Sequence, residues 1–201
     1  MASRIGVDIG GTFTDFIVYD ESGNRVIIDK IPTTPQSPEK AVVEVIKRNL
    51  SRDELEKIDF FLHGTTVGLN SLLERKGSKV GLLCTKGFRD ILEIRRGDRD
   101  EMYNLFWQPA PPLVPRFLRL EIEERLYADG SVNQKINADQ IKNACNKFIE
   151  EGVNSVAIAF INSYTNKDHE ILASKILKES GYKGSISLSS MVSGEYREYE
   201  R

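Results

Sequence analysis

Ile5-Gly6-Val7-Asp8-Ile9-Gly10-Gly11-Thr12-Phe13-Thr14-Asp15 reads as one β-hairpin. Ile5, Val7 and Ile9 alternate with Gly6, Asp8 and Gly10, the period of a strand with one apolar face. Gly10-Gly11 predicts a tight turn, because glycine adopts positive φ without steric cost. The β-branched and aromatic run from Thr12 to Tyr19 suits an antiparallel return. Two hydroxyls (Thr12, Thr14) and two carboxylates (Asp8, Asp15) ring the tip. Bare amides in such a turn form an anion-binding concavity, and a carboxylate at a strand end can hold Mg²⁺ through water. The other reading of the same residues is a plain hairpin turn with solvated aspartates.

Working outward, Asp20-Glu21-Ser22-Gly23-Asn24 predicts a turn and 25–31 a third strand. Pro32, Pro35 and Pro38 mark a connection, with Ser37 as N-cap and Pro38 opening a helix through Leu50 on an Ala41, Val42, Val45, Ile46 face. A short buried strand, 59–62, delivers His63-Gly64-Thr65-Thr66. Leu69, Leu72 and Leu73 then have helical spacing, with Gly77 as the stop, and 79–84 is a further strand. The order β-β-β-α-β-α-β implies a mixed sheet with covering helices.

From 85 to 115 the pattern is irregular. A short helix is expected over 87–94, followed by Arg95, Arg96, Arg99, Trp107 and four prolines. Two readings stand for this segment: an active-site lid or subunit contact, and a covering loop pinned by its aromatics. Residues 118–126 alternate with charges, as a half-exposed strand does, and turn at Asp129-Gly130. Asn137 caps a helix buried through Ile141, Ala144, Cys145, Phe148 and Ile149, and Gly152 ends it. The segment 156–161 is apolar on both faces, the mark of an interior parallel strand. A helix ended by Gly181 and a last strand, 185–190, complete an αβαβ continuation. The final Glu195 to Arg201 reads as a helix just beginning, so the expected organisation is 1–85, an irregular insertion 86–132, and 133–201 truncated at its end.

The 201 residues suffice for a genuine core, and 28 basic against 30 acidic residues leave no field that draws nucleic acid or an anionic membrane. Cys84 and Cys145 both lie in apolar segments, as reduced cytoplasmic thiols do. No run approaches the roughly 20 apolar residues of a membrane span. The N-terminus enters a strand at once, so no signal peptide is expected. Two isolated histidines without a Cys-x-x-Cys pair argue against structural zinc. There is no P-loop and no dinucleotide glycine fingerprint.

Gly6 to Asp15, His63-Gly64-Thr65-Thr66, Thr85-Lys86-Gly87-Phe88-Arg89-Asp90-Ile91-Leu92-Glu93-Ile94 and Tyr196-Arg197-Glu198-Tyr199-Glu200-Arg201 together resemble the N-terminal region of the hydantoinase A, 5-oxoprolinase and acetone carboxylase family. The resemblance implies an α/β fold: the N-terminal half of an actin-like (ribonuclease H-like) ATPase with an additional αβ layer. It also implies ATP and Mg²⁺ as cofactors, with Gly10, Gly11, Thr12 and Thr14 on the phosphates and Asp8 orienting the metal. Asp15 is a weaker metal candidate. His63, Thr65 and Thr66 would join the catalytic cleft, His63 having the alternative of bracing its own loop.

The family usually has alanine-threonine-asparagine-alanine where this chain has Gly68-Leu69-Asn70-Ser71. It usually has an acid and a proline where Met191 and Gly194 stand. Arg89 with Asp90 and Glu93 reads as a structural ion pair. Arg95, Arg96 and Arg99 read either as a solvated face or as a receptor for a substrate carboxylate. The activity implied is ATP-dependent opening of cyclic amides, in which ATP phosphorylates the amide oxygen, alongside a hydantoinase B-type subunit. The alternatives are an acetone carboxylase-like ATP step on a ketone, a non-catalytic ATPase that activates a partner enzyme, and a small-molecule kinase. The resemblance implies that the second phosphate loop and adenosine pocket lie outside the chain, which alone would bind ATP weakly.

Overall fold

The structure, a computed structural model, describes residues 3–21, 23–34 and 36–201. Ser22 of the expected turn and Pro35 of the expected connection lie outside the described residues. Contacts divide the chain into two units, Met1–Gly77 and Ser78–Arg201.

The first unit contains β1 (Ser3–Ile9), β2 (Phe13–Asp20), β3 (Arg25–Pro32), α1 (Pro38–Asn49), α2 (Arg52–Leu55), β4 (Ile58–Thr65) and α3 (Val67–Leu73). Among the described residues its sheet runs β3-β2-β1-β4, with β1 antiparallel to β2 and parallel to β4. Strand alternation sends Ile5, Val7, Ile9, Phe16, Val18 and Ile31 to one face, where Ala41 and Val45 of α1 close the core. Ser37 and Pro38 open α1 as expected, although the Ser37 side chain makes no capping bond. The other face carries Gly6, Asp8, Asp15, Ile17 and Ile28.

Three expectations for this unit are corrected. β4 is longer than expected and exposed, with Leu62 65% accessible, because the next strand joins a different sheet and leaves β4 at an edge. α3 forms but buries none of its residues. It also ends before Gly77, at Leu73, and Arg75 takes the left-handed conformation (φ 54°).

The second unit contains β5 (Val80–Thr85), α4 (Ile91–Ile94), a 3₁₀ turn (Arg116–Leu118), β6 (Arg119–Ile122), β7 (Arg125–Leu126), β8 (Val132–Gln134), α5 (Ala138–Glu150), β9 (Ser155–Ala159), α6 (Asp168–Glu179), β10 (Ser185–Leu188) and α7 (Ser189–Val192). Its main sheet is parallel, in the order β10-β9-β5-β6. β9 is interior, as its two apolar faces predict. Asn137 caps α5 by accepting from the amides of Asp139 and Gln140. Residues 86–132, expected as an insertion, supply β6 to this sheet, and β5 belongs here as well.

The half-exposed strand expected over 118–126 forms as two shorter strands, β6 and β7, and is more buried than expected. Arg119 and Glu124 are buried, and the segment splits between two sheets. Arg119 donates from Nε to the Val114 carbonyl at 2.8 Å and from Nη2 to Glu93 at 3.0 Å. Glu124 accepts from the Thr85 hydroxyl and lies 2.7 Å from His169 Nδ1. Buried charges are tolerated when partnered in this way. In the irregular loop Trp107 lies beneath the guanidiniums of Arg95 and Arg99, at 5.5 and 5.7 Å. Tyr103, Leu105 and Phe106 stand almost wholly in water, so Trp107 rather than the loop's aromatics in general holds it. No helix forms over 195–201; the Arg201 guanidinium instead reaches Ser189 Oγ at 2.8 Å and the Phe160 carbonyl at 2.7 Å.

Candidate functional site

The hairpin register pairs Asp8 with Asp15 and Ile9 with Thr14. The Gly10 amide closes the turn on the Phe13 carbonyl at 2.9 Å, and the Thr12 carbonyl accepts from the Thr33 amide at 2.9 Å. Gly11 and Thr12 are exposed, and among the described residues nothing accepts from their amides or from the Thr12 hydroxyl. Neither glycine has positive φ, which corrects the expected reason for them. Space requires glycine at residue 10, where the obstacle is backbone, whereas at residue 11 it is the end of one side chain. A Cβ at residue 10 would stand 2.9 Å from the Phe13 carbonyl oxygen, and one at residue 11 would stand 2.9 Å from Asn70 Nδ2.

Thr14, expected among the phosphate ligands, faces the core: its hydroxyl is fully buried and bonded to that of Thr33 at 2.9 Å. Thr65 and Thr66 lie beside the tip through β4. The Thr66 amide donates to the Ile9 carbonyl at 3.2 Å, Thr65 Oγ1 donates to the same carbonyl at 3.4 Å, and the Val67 amide donates to Thr65 Oγ1 at 3.2 Å.

Asp8 projects onto the open face of the sheet, over Gly64. There a concave pocket of about 470 Å³ has Gly6, Asp8, Asp15, Ile17, Leu62 and His63 in its lining. Asp15 is already paired with Lys30 at 2.9 Å, whereas Asp8 has neither ion pair nor side-chain hydrogen bond among the described residues. His63 is in register with Val7, a core-facing residue, so its side chain leaves the sheet on the face opposite Asp8. The structure therefore ties the Thr65–Thr66 corner to β1 just before the glycine tip, and sets Asp8 on the open face in a pocket that His63 also borders.

Sequence reading missed Asn70. Its amide donates to Thr66 Oγ1 at 3.2 Å and packs over Gly11, and its only sequence signal was its place within the His63-to-Ser71 block. In the second unit Asp90 is paired with Arg116 through two bonds of 2.8 and 2.9 Å, rather than chiefly with Arg89. Arg96 pairs with Glu200. A second buried polar group gathers where β5, β9 and β10 end. There Glu170 accepts from the Phe160 amide, from both hydroxyls of Ser189 and Ser190, and from the Ser190 amide.

A mixed sheet led by a glycine-tipped hairpin, followed by covering helices and a further αβ unit, is the N-terminal part of an actin-like ATPase fold. Two solved structures share it. Acetone carboxylase superposes with a TM-score of 0.83 at 24% identity, over 97% of this chain and 30% of that one. The ATP-dependent caprolactamase of Pseudomonas jessenii superposes with a TM-score of 0.82 at 38% identity, over 98% of this chain and 29% of that one. The chain belongs to the hydantoinase/oxoprolinase N-terminal region family, whose model matches residues 4–181. It is 40% identical to caprolactamase subunit alpha of P. jessenii over 98% of its length, and covers 30% of that subunit. It is 32% identical to the 5-oxoprolinase of Dictyostelium discoideum over 92% of its length, and covers 17% of that protein. The chain thus spans less than a third of these relatives.

Proposed function

We propose that this chain supplies the first phosphate-holding loop of an ATP-dependent enzyme that opens cyclic amides, of the lactam or 5-oxoproline kind. One observation carries the reading: the free amides of Gly11 and Thr12 lie at a tip where a Cβ on Gly10 would crowd the backbone, in the hairpin whose first strand presents unpaired Asp8. Amides held in this way donate to anionic oxygens with little reorganisation cost. The relatives' names supply the reaction class, and the 40% identity to a caprolactamase subunit favours amide opening over ketone carboxylation.

The residues fit the implied cofactors. Mg²⁺ beside nucleotide phosphates keeps several waters and needs one or two carboxylates, which matches a lone Asp8. Among the described residues no cluster of three His, Cys, Asp or Glu side chains forms, and Asp8 is the residue that would hold the ion, through its water. ATP supplies phosphorylation of the amide oxygen, which makes the ring carbon electrophilic. The chain's own residues act by position. Gly11 and Thr12 would donate backbone N–H groups to the phosphates, the Thr12 hydroxyl would add a third donor, and Asp8 would hold the cation through its water.

One matching relative is itself a subunit, and we propose a hydantoinase B-type subunit as the partner here. Buried thiols at Cys84 and Cys145 suit the cytoplasm. Among the described residues no helix is long and apolar enough to cross a membrane. The test is ATP turnover by the full-length protein, with its partner subunit, in the presence of hydantoin, 5-oxoproline or caprolactam. Stimulation by a cyclic amide is the expected result. Stimulation only by a ketone with bicarbonate would make it a carboxylase subunit, and stimulation by neither would leave an activating ATPase.

A further inference from the structure

Asn70 lies on α3, yet its side chain belongs to the hairpin. Its Nδ2 donates one hydrogen to Thr66 Oγ1 at 3.2 Å. The same nitrogen fills the space that a Cβ on Gly11 would enter, with only 2.9 Å between them. An amide nitrogen carries two hydrogens, so one remains beyond the bond to Thr66. Thr66 is in turn fixed to β1 by its own amide bond to the Ile9 carbonyl at 3.2 Å. The side chain is half-buried, so it is held without being sealed from an incoming ligand.

We infer that Asn70 is a positioning and specificity residue of the phosphate loop: its amide sets the separation between α3 and the glycine tip and offers a donor that favours a polyanion there. This rests on the nucleotide reading of the tip. Two consequences of the residue type follow. Aspartate has the same shape and keeps a bond to the Thr66 hydroxyl, now as acceptor, but sets a negative charge beside the phosphates. Alanine removes the donor and leaves space over Gly11.

The experiment measures ATP KM, kcat and melting temperature of the full-length protein carrying Asn70→Ala, Asn70→Asp, Gly11→Ala, the Gly11→Ala/Asn70→Ala pair, and Gly10→Val as a control on the tip. Expected are a KM raised about tenfold in Asn70→Ala and about a hundredfold in Asn70→Asp, the scale of one or two donors to a charged group. Melting temperatures of the two Asn70 variants should stay close to wild type, and their kcat should change less than KM. Gly11→Ala should raise KM steeply, and the double variant should be no worse than the worse single one, because removing the amide frees the space that the new methyl needs. Equal KM in wild type and Asn70→Asp, or additive effects of Gly11 and Asn70, would overturn the inference while the tip reading stands. An ATP KM unmoved by Gly10→Val would overturn the tip reading and this inference with it.

Discussion

The Asp8 carboxylate lies over Gly64, near enough that a Cβ there would stand 3.3 Å from Oδ1. His63, one residue earlier on β4, points to the opposite face. The two residues expected to share catalysis therefore make separable predictions. Asp8→Asn in the full-length enzyme should lower ATP-dependent turnover by about 10²-fold or more, the usual cost of losing a placed electrostatic group. His63→Ala should cost less than about threefold. Steady-state kinetics at saturating ATP checks both, and a larger loss for His63→Ala than for Asp8→Asn would reverse the assignment.

Gly81 and Phe148 hold β5 against α5. A Cβ on Gly81 would fall 2.4 Å from the fully buried Phe148 ring. Gly81→Ala should destabilise the protein by about 1–3 kcal/mol, the cost of overpacking. Adding Phe148→Leu should recover part of that loss, whereas Phe148→Leu alone should destabilise. Denaturant melts of the single and double variants measure the coupling.

Burial pushes the Cys84 thiol up to about 12, and Cys145 is raised by the same cause. Both stay protonated at pH 8, and the thiolate is the reactive form. Thiol-specific labelling at that pH should leave both untouched in the native state and reach both in denaturant. Rapid native labelling of Cys84 would contradict the packing.

The two bonds from Arg116 hold the Asp90 carboxyl below its ordinary range. A depressed native pKa gives stability that is full above the unfolded value near 3.9 and is lost as pH falls through the native value. Asp90→Asn should therefore lower the melting temperature modestly at pH 7, the pair being exposed, and the difference should vanish in strong acid. An equal difference at both pH values would show that the pair contributes by packing alone.

Much of this was legible in the sequence. The alternation of Ile5, Val7 and Ile9, the Asn137 cap and the apolar run ahead of Phe160 each follow from local periodicity or capping chemistry. What was not legible is long-range pairing. Residues 80–85 read equally well as a strand of either sheet, and only the partner chosen leaves β4 exposed. Arg119 and Glu124 read as outward because charge normally faces water, and their partners at Glu93, Thr85 and His169 lie too far along the chain to be foreseen. At the site, the double glycine was legible as a bare tip but not for its cause. Crowding by Asn70 depends on a helix nearly sixty residues downstream.

The most direct test is a crystal structure of the full-length protein with Mg²⁺ and a non-hydrolysable ATP analogue. Phosphate oxygens about 3 Å from the Gly11 and Thr12 amides, with Asp8 facing a water of the cation, are the predicted result. Phosphates seated elsewhere, with the hairpin tip bare, would contradict it.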